Sequence, residues 1–229
     1  MILKTTDMMK IPEKYLDALS IAFMAVTAAV TILVVMLTDR PADEVPEVPE
    51  LTFTESEISL VESADSVMRV LTIADSLDLK VLRARSAGLS EADLRSETFG
   101  RLAGLMLSTV TSPEQDGVGI AAPQVGLNRR VVAVQRFDKE GEPFEVYPNI
   151  QIDSLYGEPV LGPEGCLSIP GKTGKVFRYP NVIVSYTDPG TMETVRDTVS
   201  GFTAVIFQHE TDHLEGILYI DKAEEVTSL

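Results

Sequence analysis

The chain's only two histidines stand four residues apart, and a glutamate follows the first of them, as His209, Glu210 and His213. Residues four apart lie on one face of a helix, so both imidazoles can reach a single ion while the glutamate reaches a water molecule beside it. The apolar residues of the segment 202–207 predict that this helix faces the core, where imidazoles without partners would be costly. The spacing therefore predicts a metal site rather than two chance histidines on a solvated helix.

A catalytic ion needs a third protein ligand and one open position. Only 16 residues follow His213, none of them histidine, which leaves Glu224 and Glu225 as candidates on that side. Upstream lies Cys166, the only cysteine of the chain, and a thiolate is a good ligand for zinc or ferrous iron. A lone cysteine is often just a small buried apolar side chain, so the residues alone leave the third ligand open.

A third segment, GVGIAAPQ at 117–124, combines small residues that allow close backbone approach with the side-chain amide of Gln124. Alone it is similar to any tight turn. In combination, this GxGxAAPQ segment, EGCLS at 164–168 and HExDH at 209–213 resemble the three signature motifs of the peptide deformylase family. Gln208 and the segment 214–218 also fit, and the resemblance covers residues 68–221.

The resemblance implies a metal-dependent hydrolase that removes the N-formyl group from N-formyl-methionyl peptides or proteins and releases formate. It implies that Cys166, His209 and His213 are the metal ligands. One divalent ion would be bound, Fe(II) in the cell, with Zn(II) and Ni(II) as alternatives, because this ligand set suits several ions and loading depends on availability.

The remaining roles also follow from the resemblance. Glu210 would transfer protons, Gln124 and the backbone N–H of Leu167 would bind the oxyanion, and Gly119 would pair with the substrate backbone. An apolar pocket for the methionine side chain would be lined by Val118, Phe202, Val205 and Ile206. One departure is Lys172, in a segment where many members of the family place an arginine, and a lysine is not an equivalent bidentate donor.

The fold implied is a small α+β domain with antiparallel sheets around the central HExxH helix, which an ion pair between Asp212 and Arg178 would support from behind. Local patterns agree with this fold class. They predict two helical stretches within 90–110, strands at 131–134, 182–186 and 195–199, and a helix at 203–214 ended by Gly216.

The N-terminal part of the chain has a different composition. Residues 18–38 are apolar and carry no charge, and 21 residues of helix match the thickness of a bilayer core, so we expect a transmembrane or signal-anchor helix within a leader of residues 1–40. Residues 41–66 hold eight acids and no Lys or Arg, which predicts an acidic, Pro-containing linker. A capping box of Thr54 and Glu57 predicts a short helix inside it. The catalytic domain is then expected at 67–229.

Charge and location limit the partners. A formal net charge of −16 argues against nucleic-acid binding. We expect a formyl-methionyl peptide as the substrate. We also expect the N-terminal helix to attach the enzyme to the membrane, so that it is membrane-anchored or exported. The sequence leaves open whether it contacts the ribosome and on which side of the membrane it lies. Alternatives are a tethered metallohydrolase acting on another small amide or on exported formyl-peptides, an ordinary HExxH zinc peptidase, and a binding module without catalysis.

Overall fold

The computed structural model describes residues 52–228 as five helices, nine strands and two 3₁₀ turns. The helices, in chain order, are α1 (Glu55–Ser63), α2 (Ser76–Leu82), α3 (Glu91–Leu94), α4 (Glu97–Val110) and α5 (Gly201–Leu214). The strands are β1 (Gly119–Ala121), β2 (Val131–Gln135), β3 (Phe144–Pro148), β4 (Gln151–Tyr156), β5 (Val160–Glu164), β6 (Lys172–Arg178), β7 (Asn181–Thr187), β8 (Thr194–Ser200) and β9 (Glu225–Ser228). The 3₁₀ turns are Ala122–Val125 and Tyr219–Asp221.

The strands form three antiparallel sheets of three strands each, in the orders β1-β2-β3, β4-β7-β8 and β5-β6-β9. Apolar residues of the first two sheets pack with α5 in one buried cluster, which contains Val132, Val184 and Phe207. The α+β class with antiparallel sheets is therefore confirmed. The predicted strands at 131–134, 182–186 and 195–199 correspond to β2, β7 and β8.

Helix α5 is buried on almost every side, so several of its polar residues lie in the core. Gln208, Glu210 and His213 are all buried. Gln208 accepts a hydrogen bond from Tyr179 N at 3.0 Å and donates one to Tyr179 O at 2.8 Å, which fixes α5 to the turn between β6 and β7. The helix ends at Leu214, and Gly216 follows with φ +71°, as the sequence predicts.

Helix α1 forms where the capping box predicts it, with Thr54 as N-cap and Glu57 completing the box. It is part of the folded unit, because Val61 is fully buried and Glu57 bonds the buried guanidinium of Arg129 at 2.7 Å. The described part of the predicted linker, residues 52–66, thus differs from a solvated tether. One of the acidic residues that predict a solvated linker, Glu57, is in fact paired with an arginine distant in the sequence.

The rest of the N-terminal predictions concern residues outside the described range. The predicted leader of residues 1–40, its membrane helix at 18–38 and the first part of the linker all precede residue 52. Among residues 52–228, none of the helices combines the length and the apolar character needed to cross a bilayer.

Candidate metal centre and substrate cavity

The fold brings together the three side chains that the sequence predicts as metal ligands. His209 and His213 lie one turn apart on α5, and Cys166 lies just after β5. Cys166 Sγ is 3.2 Å from His213 Nε2, and one ligand atom of each of the three residues lies within 4.8 Å of the others. Glu224 and Glu225 are exposed, and Glu225 pairs in β9 opposite Lys175.

A thiolate and two imidazoles form a ligand set that suits zinc, ferrous iron and related ions. The geometry agrees, because Glu164 Oε2 lies 2.7 Å from His209 Nδ1 and so leaves the other ring nitrogen, Nε2, available to an ion. The donor set therefore fits a single divalent metal ion.

Glu164 is a functional residue that sequence reasoning missed. Besides His209, it binds Arg178 Nε at 2.6 Å, and Arg178 in turn binds Asp212 at 2.6 Å, so the predicted ion pair behind the helix is formed. Burial alone would raise the pKa of Glu164, but hydrogen bonds from His209 and Arg178 lower it to about 2. Its place two residues before Cys166, within the EGCLS motif, was the available signal.

Glu210 has the opposite electrostatic environment. It is buried, its Oε2 has no hydrogen-bond partner among the described residues, and it lines the cavity beside His209. Burial raises its pKa to about 7. A methyl group in place of the hydrogen of Gly119 would lie 2.5 Å from Glu210 Oε1, so a larger residue there would force the carboxylate or β1 to shift.

The side chain of Gln124 is oriented by the backbone three residues earlier in the chain. Its Oε1 accepts a hydrogen bond from Ala121 N at 2.8 Å, and its Nε2 lies 3.3 Å from Ser168 Oγ and 3.6 Å from Cys166 Sγ. The amide NH₂ therefore points to the metal-ligand cluster. Leu167 follows Cys166 directly, and its backbone N–H has no hydrogen-bond partner within residues 52–228.

These residues share a cavity of about 540 Å³. One wall is apolar, and the lining also includes Lys172 at the start of β6. The four residues predicted for the methionine pocket all lie in this lining: Val118, Phe202, Val205 and Ile206. The lining also contains the predicted catalytic and ligand residues Gly119, Gln124, Cys166, Leu167, His209 and Glu210. A cavity that combines an apolar wall with convergent polar groups and a carboxyl of shifted pKa has the composition of an active site.

Comparison with known proteins identifies the family. The family model described as polypeptide deformylase matches residues 67–228. The chain belongs to the polypeptide deformylase family. A peptide deformylase of Leptospira biflexa is 34% identical over 164 residues, which are 69% of this chain and 88% of that protein. One from Halothermothrix orenii is 44% identical over 116 residues, 51% of this chain and 73% of the relative.

Solved deformylase structures have the same fold. A class I type b peptide deformylase from Acinetobacter baumannii with actinonin bound is 36% identical, with a TM-score of 0.61, covering 70% of this chain and 100% of that one. The same enzyme with Met-Ala-Ser bound gives a TM-score of 0.60 at 36% identity over 68% of this chain and 98% of that one. Membership of the deformylase family supports a divalent metal cofactor and favours this family over the zinc-peptidase and binding-module alternatives.

Proposed function

We propose that this chain hydrolyses the formamide of N-formyl-methionyl peptides, releasing formate and a free N-terminal methionine. One observation carries the proposal: the buried carboxyl of Glu210 lines the same cavity as Cys166 and His209, and His213 converges with these two donors. Binding of Met-Ala-Ser, the deformylated product of such a substrate, to the Acinetobacter baumannii enzyme supports the substrate class.

Cys166, His209 and His213 would hold the divalent metal ion, and Fe(II) is the ion that we propose for the cell. When bound, the ion supplies Lewis-acid activation of water and of the formyl carbonyl. Glu164 and Arg178 orient this site from behind, because the Glu164 carboxylate fixes the His209 ring and Arg178 fixes the carboxylate.

Glu210 would accept a proton from the attacking water molecule and pass it to the leaving nitrogen. A group that both accepts and donates a proton works best when its pKa is near the working pH, and burial raises the pKa of Glu210 toward that range. Its partner-free Oε2 is available for a water molecule in the cavity. Proton delivery matters because the peptide nitrogen must leave as an amine.

Two donors would stabilise the oxyanion that forms when water attacks the formyl carbon. The Gln124 amide is held by its hydrogen bond with Ala121 N, so it needs no reorganisation during the reaction. The second donor is the backbone N–H of Leu167, the residue that follows Cys166. This N–H makes no hydrogen bond to another group among residues 52–228. Loss of one donor of this kind typically lowers the rate about 100- to 1,000-fold.

The substrate backbone would add to the edge of the first sheet. Strand β1 pairs with β2 through Gly119 and Val134 on one side only, because it is the first strand in the order β1-β2-β3. Its other edge can accept an extended peptide through main-chain hydrogen bonds. The methionine side chain would then lie against the apolar wall formed by Phe202 and its neighbours on α5.

Formate release from formyl-Met-Ala-Ser by the metal-loaded full chain tests the proposal. We expect turnover in the wild type and a loss of about 100- to 10,000-fold in Glu210→Gln, with metal content unchanged. Glu140→Gln, at an exposed turn outside the three motifs and the cavity lining, should behave as wild type. Full activity in Glu210→Gln would contradict the role of Glu210, and an inactive wild type would contradict the function.

For the N-terminal region we propose a membrane anchor at residues 18–38, joined by an acidic linker to the catalytic domain. The support is the uncharged apolar sequence of that segment. The full chain should sediment with membranes and stay there after alkaline carbonate washing. Recovery in the supernatant would contradict an integral anchor.

A further inference from the structure

Phe202 is an unusually exposed aromatic side chain on the wall of the cavity. It is 56% exposed and stands second in α5, directly after Gly201, whose φ is +66°. Val205 and Ile206 follow three and four residues later and therefore lie on the same helix face. The three side chains form one apolar wall, of which Phe202 is the outermost and least covered member.

Phe137 packs against Phe202 from outside the cavity. The two ring centroids are 5.3 Å apart and the ring planes are tilted by 47°, a favourable geometry for an aromatic pair. Phe137 lies in the turn after β2 and is not part of the cavity lining. It is half-buried and packs against the core cluster that contains α5. Phe137 is therefore held by the core where it contacts Phe202.

The residues on both sides of Phe137 hold the turn in place. Arg136, only 2% exposed, binds Asp138 through two hydrogen bonds of 2.8 and 2.7 Å. The same guanidinium donates to Tyr147 Oη at 2.6 Å and to Asp197 at 2.9 Å, which ties the turn to β3 and β8. A buried guanidinium with this many partners leaves the backbone at Phe137 little freedom.

We propose that Phe137 is a positioning residue for substrate selectivity, which holds the Phe202 ring against the first side chain of the substrate and so favours methionine over its hydrocarbon isostere norleucine. Sulfur in a thioether makes attractive contacts with aromatic rings that a methylene group does not match. The typical strength of such a contact corresponds to about a two- to tenfold difference in kcat/KM. The inference rests on the proposed function, since it concerns the side-chain pocket of that reaction.

The experiment compares hydrolysis of formyl-Met-Ala-Ser and formyl-norleucyl-Ala-Ser by the full chain. We expect a two- to tenfold preference for methionine in the wild type, expressed mainly in KM. Phe137→Leu should bring the ratio of kcat/KM values close to one while kcat for the methionine substrate changes little, and Phe137→Tyr should keep the preference. Phe177→Leu, which removes a 51% exposed ring outside the cavity, is the matched control and should leave the ratio unchanged.

Phe202→Leu tests the wall directly, and because Phe202 is largely exposed this variant should fold even where Phe137→Leu does not. It is expected to abolish the preference. A wild-type ratio near one, or a preference that survives in folded Phe137→Leu, would overturn the inference while leaving the deformylase reaction intact. Absence of formate release from both substrates in the wild type would instead refute the proposed function, and the inference with it.

Discussion

Replacing Gly119 by alanine tests whether the position of the Glu210 carboxylate controls catalysis. The added methyl group would lie 2.5 Å from Glu210 Oε1 and 2.8 Å from Ile206 Cγ2. Ordinary contact begins at 3.4 Å, so the carboxylate would have to move by about 0.9 Å or the strand would have to shift by as much. The helix behind Glu210 is packed in the core, so neither movement is free of cost.

The expected magnitude follows from this displacement. A misplacement of about 1 Å in a reacting group can lower the rate about 100-fold, and overpacking a filled site typically costs about 1–3 kcal/mol of stability. The three atoms nearest to the added methyl group belong to Glu210 and Ile206 and not to Cys166, His209 or His213. We therefore expect kcat for formyl-Met-Ala-Ser to fall about 100-fold in Gly119→Ala, while metal content stays that of the wild type.

Formate release, metal content by mass spectrometry and urea unfolding would be measured on the same preparations. Gly104→Ala is the matched control, because Gly104 lies within α4 and a methyl group there would meet nothing within 4 Å. It should keep full activity and gain about 0.4–1 kcal/mol of stability. A Gly119→Ala variant with kcat within threefold of wild type would refute the reasoning that the close approach of β1 fixes the carboxylate.

Two further predictions concern ion pairs. Arg178→Met should lower the free energy of unfolding by about 3–5 kcal/mol, because it leaves the buried Glu164 carboxylate without its cation. The control Arg95→Met removes an exposed ion pair and should change the free energy of unfolding by less than about 1 kcal/mol. Urea unfolding of both variants measures the difference. Glu57→Gln should destabilise the protein by about 1–3 kcal/mol at pH 7. Burial raises the pKa of Glu57, but the hydrogen bonds from Arg129 and Thr54 and the charge of Arg129 together outweigh burial and lower the pKa below 4.5. Its stabilisation is thus complete above pH 4.5 and is lost as the pH falls through the folded value, so the wild-type and variant curves should converge in acid; a constant difference down to the acid transition would contradict the assignment.

Local geometry explains what the sequence could predict. His209 and His213 share a helix face because a helix repeats every 3.6 residues, so their convergence needs no knowledge of the rest of the chain. The capping box of Thr54, the positive-φ glycine after the C-cap of α5, Gly216, and the β-branched strand β2 are likewise encoded within a few neighbouring residues. The three short motifs added the family, and with it the expectation that Cys166 joins the two histidines.

Contacts between residues distant along the chain escaped the sequence reasoning. The sequence predicts a solvated linker at residues 55–63 because the acids of this segment are visible, while the arginine that pairs with Glu57 lies 72 residues away. The sheet β5-β6-β9 contains exposed and polar strands without a strong apolar alternation, so it gave little signal. Such pairings are decided by long-range packing.

The chemistry of this protein was therefore determined by its sequence, and the arrangement that makes the chemistry work was decided by the tertiary structure. Residue types and helical spacing were enough to predict a metal site with an adjacent proton carrier. Only the folded chain brings Glu164 to His209 across 45 residues, places Gly119 against Glu210 and packs Phe137 against Phe202. The physical reason is that burial, which sets the pKa of Glu210, and contact between separate strands and helices are properties of the packed core rather than of any local segment.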